Sequence, residues 1–123
     1  MKLEDLLAYQ KGFDLAMDIF YKTKEFPKEE IYSLTNQIRR SSRSVCANIS
    51  EAYRKRLYPR HFVSKLTDSD AENSETQTWL RFALACKYMK EDAYEDFMQK
   101  SKEVGKLINY MINNPGKFGC KMK

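Results

Sequence analysis

The stretch QIRRSSRSVCANISEAYRKRLYPR, Gln37 to Arg60, carries seven of the chain's twenty-two basic residues against a single acid, Glu51. Seven bases less one acid leave +6, so the remaining residues sum to −1 of the total +5. At about 100° per residue, Leu34, Ile38, Val45, Ile49 and Ala52 fall on one side of a helix. Arg39, Arg43 and Arg54 fall almost opposite, with Arg40 beside them and Ala47 and Ser50 between. One face is built for burial and the other is positive. The rest of the chain is expected to cover the first.

A chain of 123 residues makes one domain with room for a true core. Hydrophobic content of 42% with three prolines and four glycines excludes both a disordered chain and a turn-rich β protein. A pI near 9.1 points toward anionic partners, nucleic acid first among them. Cys46, Cys86 and Cys120 are odd in number and widely spaced, which suits a reducing compartment better than a disulfide framework or a zinc site. Glu4 and Asp5 interrupt the start before any apolar run, so a signal peptide is not expected. No window holds the ~18 apolar residues a membrane span requires. These features predict a soluble, cytoplasmic protein without a membrane partner.

In chain order, Leu6, Tyr9, Phe13, Ala16, Met17 and Phe20 recur at spacings of three and four, which predicts a helix over about 5–24 with that aromatic face inward. Phe26-Pro27 ends it. Lys28-Glu29-Glu30 leads into the second helix, with Ser33 as an alternative cap. Tyr58-Pro59 closes that helix near Arg56, and Pro59 opens a third running to about Tyr88. Its inward series is Phe62, Leu66, Ser69, Asn73, Thr76, Leu80, Ala83 and Lys87, small or polar in the middle. Trp79, Phe82 and Cys86 make a second strip that calls for a second neighbour. Lys90-Glu91-Asp92 opens a fourth helix, inward at Tyr94, Phe97, Met98, Val104, Ile108, Met111 and Ile112, and Asn113-Asn114-Pro115-Gly116 stops it. The prediction is an all-α, antiparallel up-and-down four-helix bundle over 1–115, with 116–123 a mobile basic tail.

With these segments in view, the chain resembles the small bacterial four-helix-bundle proteins encoded in intervening sequences of 23S rRNA genes. The likeness rests on FPKEEIYSLTNQIRRSSRSVCANISEAYRK, on LLAYQKGFDLA before it, and on the acidic run of the third helix ending in Glu75. Its core is Gln37, Ile38, Arg39, Arg40, Ser44, Asn48, Ile49 and Glu51. The resemblance implies a homopentamer. It also implies kinship with the accessory variability determinant of diversity-generating retroelements, a pentameric bundle that binds a reverse transcriptase and nucleic acid. Two positions depart from the usual pattern: Ala52 follows the motif glutamate where glycine is usual, and Ala71-Glu72 replaces Gly-Ser.

The candidate nucleic-acid surface is Arg39, Arg40, Arg43 and Arg54, spread along about 22 Å of helix, extended by Lys55 and Arg60. RNA or DNA phosphates would be the ligand, since affinity grows with each counterion released. The alternative is a scaffold whose arginines pair with Asp68, Asp70, Glu72 and Glu75 of a neighbouring helix or subunit and whose partner is a protein. Tyr53 and Tyr58 sit beside basic residues but belong more readily to a core or interface than to base stacking. Gln37, Asn48 and Glu51, with Trp79, are candidates for contacts between helices or subunits.

No catalytic site is expected. Glu72-x-x-Glu75 with Asp92-x-x-Glu95 imitates the paired carboxylates by which all-α nucleotide pyrophosphohydrolases hold Mg²⁺, yet the second pair lies where acids favour a helix start in any case. His61 is the only histidine, which removes Glu-x-x-His di-metal chemistry. The expectation is a non-enzymatic bundle with no cofactor and no metal.

Overall fold

In the computed structural model, which describes residues 1–121, four helices are joined by short connections. They are α1 (Leu7–Thr23), α2 (Leu34–Arg54), α3 (Pro59–Ala85) and α4 (Glu91–Asn113). Each helix packs on the next and α4 closes on α1, giving the antiparallel up-and-down bundle. Short 3₁₀ turns at Leu3–Asp5, Lys28–Glu30 and Pro115–Phe118 complete the described chain, which contains no strand.

The helix ends follow local chemistry. α2 starts one residue after Ser33, but Glu30 supplies the cap: its Oε1 accepts the Leu34 N–H at 3.2 Å. Pro59 occupies the first turn of α3, where its missing N–H costs nothing. α3 stops at Ala85 because Lys87 turns left-handed (φ 64°). Tyr88 N–H then reaches the Ala83 carbonyl and Lys87 N–H that of Leu84, both at 2.9 Å. Lys87 therefore leaves the inward series in which its spacing had placed it and is exposed.

The predicted faces of α2, α3 and α4 are the buried ones. Leu34, Ile38, Val45, Ile49 and Ala52 are buried, as are Phe62, Leu66, Ser69, Asn73, Thr76, Leu80 and Ala83. On α4, Phe97, Met98, Val104, Ile108 and Met111 are buried, with Tyr94 and Ile112 half-buried beside them.

Helix α1 is different. Its core stripe is Ala8, Gly12, Leu15, Ala16 and Ile19, while Phe13 is 49% exposed and Tyr9, Met17 and Phe20 lie on the flank. The expectation of an aromatic inner face is corrected by the closeness of α2. A Cβ on Gly12 would sit 3.2 Å from Cys46 Sγ and 3.6 Å from Val45 Cγ1. Helices that near leave no space for rings, so small and aliphatic residues face inward.

A polar seam crosses the middle of this core. Ser41 Oγ and Thr76 Oγ1 are 2.8 Å apart, and Ser69 Oγ donates to the Val45 carbonyl at 2.8 Å. Asn73 Nδ2 donates to the Ser101 carbonyl and its Oδ1 accepts from Ser101 Oγ, each at 2.9 Å. Gln77 Nε2 adds a bond to the same hydroxyl at 3.0 Å. These pairings tie α2 to α3 and α3 to α4 at one level, which fixes register.

At the C-terminal end, residues 116–121 of the expected tail pack back on the bundle. Phe118 lies against the core and Cys120 is buried. Residues 122 and 123 lie outside the described residues.

Candidate nucleic-acid interface

The cationic face of α2 divides into three neighbourhoods. Arg40 leans toward α3, with Nη1 3.2 Å from Glu72 Oε2 and Nη2 2.6 Å from Glu75 Oε1. Its Nε donates to Gln37 Oε1 at 3.4 Å. The two carboxylates hold the guanidinium charged, the Glu75 bond most strongly. Burial raises Glu72, while hydrogen bonds from Glu72 and Arg40 keep Glu75 below the usual carboxylate range. One arginine and two glutamates leave no positive surplus, so Arg40 answers to the pairing alternative.

Arg39 and Arg43 lean the other way, over α1. Arg39 Nε donates to Thr23 Oγ1 at 2.8 Å, and its guanidinium carbon lies 4.8 Å from the centre of the Phe20 ring. That of Arg43 lies 5.5 Å from the same ring. Phe20 thus serves as a platform for two cations. The three arginines border a surface cleft of about 640 Å³ floored by Ser44 and Ala47, with Tyr32, 91% exposed, at its rim. Tyr32 belongs to no periodic series, so the sequence does not mark it, and α2 begins only after it, at Leu34, rather than at the expected entry Lys28-Glu29-Glu30.

Arg54, Lys55 and Arg60 gather at the end of the bundle, where α2 turns into α3, and all are exposed. Among the described residues none of them enters an ion pair. Arg56, within the opening stretch but not assigned a role from it, stands in the same region with Lys121.

The residues expected at contacts between helices or subunits fall differently. Glu51 bridges α2 to α3 through Lys65 at 3.0 Å. Trp79 donates to Glu75 Oε1 at 3.3 Å and lies 5.8 Å from the Phe82 ring. Gln37 lines a groove of about 390 Å³ with Leu34, Trp79, Phe82 and Cys86. Among the described residues Asn48 bonds only to the Ser44 carbonyl of its own helix, at 3.0 Å, and bridges no two helices. On the opposite flank, Tyr9, Phe13, Met17, Arg43, Ala47 and Ser50 line an apolar groove of about 400 Å³.

The two acidic pairs that imitated a magnesium site are not brought together. Glu72 and Glu75 are held by Arg40, and Asp92 Oδ1 accepts the Ala93 N–H at 2.8 Å. Among the described residues no three His, Cys, Asp or Glu side chains converge as a metal site. Burial pushes the Cys46 thiol up to about 12, which suits a packing role and not a nucleophile. No described helix is long and apolar enough to cross a membrane.

Fold and surface together define a small all-α bundle whose second helix carries an arginine-rich face, with Arg54, Lys55 and Arg60 exposed where that helix turns into α3. The profile of the 23S rRNA-intervening sequence protein family matches residues 4–110, and the chain belongs to that family. Among solved structures it is similar to a Bacteroides thetaiotaomicron protein of unknown function from the S23 ribosomal protein family. The two are 29% identical with a TM-score of 0.80, over 89% of this chain and 98% of that one. Among curated proteins nothing matches the chain significantly.

Proposed function

We propose that the protein is a non-enzymatic oligomeric bundle that presents its cationic end to nucleic acid, RNA in the first instance. The observation that carries this reading is that Arg54, Lys55 and Arg60 lie close together in the chain where α2 turns into α3, exposed and with no carboxylate partner among the described residues, whereas Arg40 of the same helix is held by Glu72 and Glu75. Unpaired charge clustered at one end favours a polyanion, and nothing in it reads bases, so binding would depend on salt more than on sequence.

Two unlike apolar grooves support the oligomer. One lies on α1 and α2 around Phe13 and Met17, the other beside Trp79 and Phe82. Different patches on one chain form head-to-tail contacts, which close into a ring when the rotation permits, in keeping with five copies. Arg43 borders the first groove, so this reading gives Arg43 to a subunit contact and leaves Arg54, Lys55 and Arg60 for phosphate. RNA binding measured at two salt concentrations, with sedimentation of the free protein, tests both halves. Salt-independent binding or none removes the nucleic-acid reading, and a monomer at micromolar concentration removes the ring.

A further inference from the structure

The geometry points to a phosphate-binding pocket between the end of α2 and the C-terminal segment, with Arg56 as its anchor. It deepens the reading above by naming the group recognised and the residues that recognise it. The pocket, about 340 Å³, is lined by Tyr53, Arg54, Arg56, Leu57, Gly119 and Lys121, without an acid among them.

Arg56 is built in rather than draped over the surface. Its Nε donates to the Tyr53 carbonyl at 2.8 Å, and its guanidinium carbon lies 3.7 Å from the centre of the Tyr53 ring. The Tyr53 hydroxyl in turn donates to the Met1 carbonyl, which fixes the platform. On the other side stands Gly119 at φ +94°, a left-handed backbone that glycine alone adopts freely. A Cβ there would lie 2.8 Å from Arg56 Nη1. The turn requires glycine, and the absent Cβ is what lets the guanidinium lie this close to the backbone without shifting. Burial of Cys120 next to it and the bond from Cys120 N–H to the Pro115 carbonyl at 3.3 Å hold the segment in place.

With Nε spent on Tyr53, the Nη groups of Arg56 have neither a hydrogen-bond acceptor nor an ion-pair partner among the described residues. A fixed guanidinium with an open fork matches two oxygens of a phosphate, and Arg54 and Lys121 add charge at the rim. The structural requirement for a fork, rather than for charge alone, separates this site from the rest of the cationic end.

The test is a titration of the ¹⁵N-labelled protein with inorganic phosphate and, separately, with a ten-nucleotide single-stranded RNA. It follows the Gly119 amide and the Arg56 Nε resonance in the wild type, in Arg56→Gln and Arg56→Lys, and in Arg54→Gln, which leaves the clamp on Gly119 untouched. Phosphate is expected to shift both resonances saturably, Arg56→Gln and Arg56→Lys to abolish the Gly119 shift, and Arg54→Gln to weaken it. RNA should displace phosphate, and Arg56→Gln should lower the salt slope of RNA binding by about 0.7. RNA binding with no phosphate shift and an unchanged slope in Arg56→Gln would overturn the pocket while leaving the nucleic-acid reading intact. Phosphate shifts without RNA binding would keep the pocket, as a site for free phosphate, and remove that reading. Arg56→Lys binding phosphate as the wild type does would show that charge suffices and would overturn the proposed role of the fork.

Discussion

Replacing Arg54, Lys55 and Arg60 together by glutamine removes three exposed cations that enter no described ion pair, and so disturbs no internal contact. For a single strand each neutralised phosphate contributes about 0.7 to the slope of log K against log salt, so three contribute about 2.1. Carried from 1 M, where counterion release adds nothing, that slope predicts a loss of roughly 100-fold in RNA affinity at 0.1 M salt but only about 7-fold at 0.4 M. The control is Arg40→Gln with Glu72→Gln and Glu75→Gln, which deletes a cation already outweighed by the two carboxylates it pairs with. It is expected to leave affinity within about twofold at either salt. Fluorescence anisotropy with a labelled RNA decamer measures both series, and circular dichroism verifies that the variants are folded. If the triad variant loses affinity as steeply as the triple variant, the distinction between paired and free cations is wrong. If the triple variant loses the same factor at both salts, the contact is not with phosphate.

Other consequences concern stability. Asn73→Ala deletes two buried hydrogen bonds and leaves the Ser101 hydroxyl without its acceptor, so it should cost roughly 2–4 kcal/mol. In a denaturant-unfolding cycle with Ser101→Ala, the double variant should cost about 1–2 kcal/mol less than the sum of the singles; simple additivity would mean the seam is not coupled. Thr35 Oγ1 is buried and has no hydrogen-bond partner among the described residues, so Thr35→Val should stabilise by about 1 kcal/mol and raise Tm by roughly 3–5 °C. Tyr88 donates to Glu30 Oε2 at 2.7 Å, and that bond lifts its phenol to about 12 in the folded chain. The neutral phenol is the stabilising form. Its contribution is whole below the ordinary phenol value near 10 and is lost as pH rises through 12. Tyr88→Phe should therefore melt lower than the wild type at pH 8, with the gap narrowing by pH 12.

How much of this was legible beforehand depended on what each residue's neighbours were. Along α3, seven of the eight inward positions are buried because a long helix between two others keeps a strict period, and only Lys87, past a left-handed turn, escapes it. In α1 the period was equally clear but the face was not. The helix carries a small-residue stripe and an aromatic stripe side by side, and only the 3.2 Å approach at Gly12 determines which turns inward. The site shows the same limit. That Arg39, Arg40 and Arg43 are cationic is plain in the sequence, but their destinations depend on Phe20, Thr23, Glu72 and Glu75, all on other helices. The pairing of Arg56 with Gly119 spans most of the chain and follows no spacing at all.

The division of the arginines follows from the core rather than from the arginines themselves. Gly12, Ser41, Ser42 and Ser69 are small enough for α2 to lie close to both α1 and α3. A long side chain on the ridge of a helix so closely flanked has a neighbouring helix beneath it whichever way it leans. Arg39 thus comes to rest on Phe20 and Thr23, and Arg40 on Glu72 and Glu75. Toward the far end the flanking helices run out: α1 begins only at Leu7 and α2 gives way to the turn before Pro59. Arg54, Lys55 and Arg60 therefore have no ridge to lie on, and Arg56 finds one only because the chain returns at Gly119. Along the middle of α2 the neighbouring helices take up the guanidinium groups, Arg40 on carboxylates and Arg39 and Arg43 on the Phe20 ring, whereas at the end they stand clear. A variant that wedges α1 away from α2, such as Gly12→Leu, should accordingly release Arg39 from Thr23 while leaving the cationic end as it is, which the Arg39 and Arg54 Nε resonances would report: loss of both would refute the division.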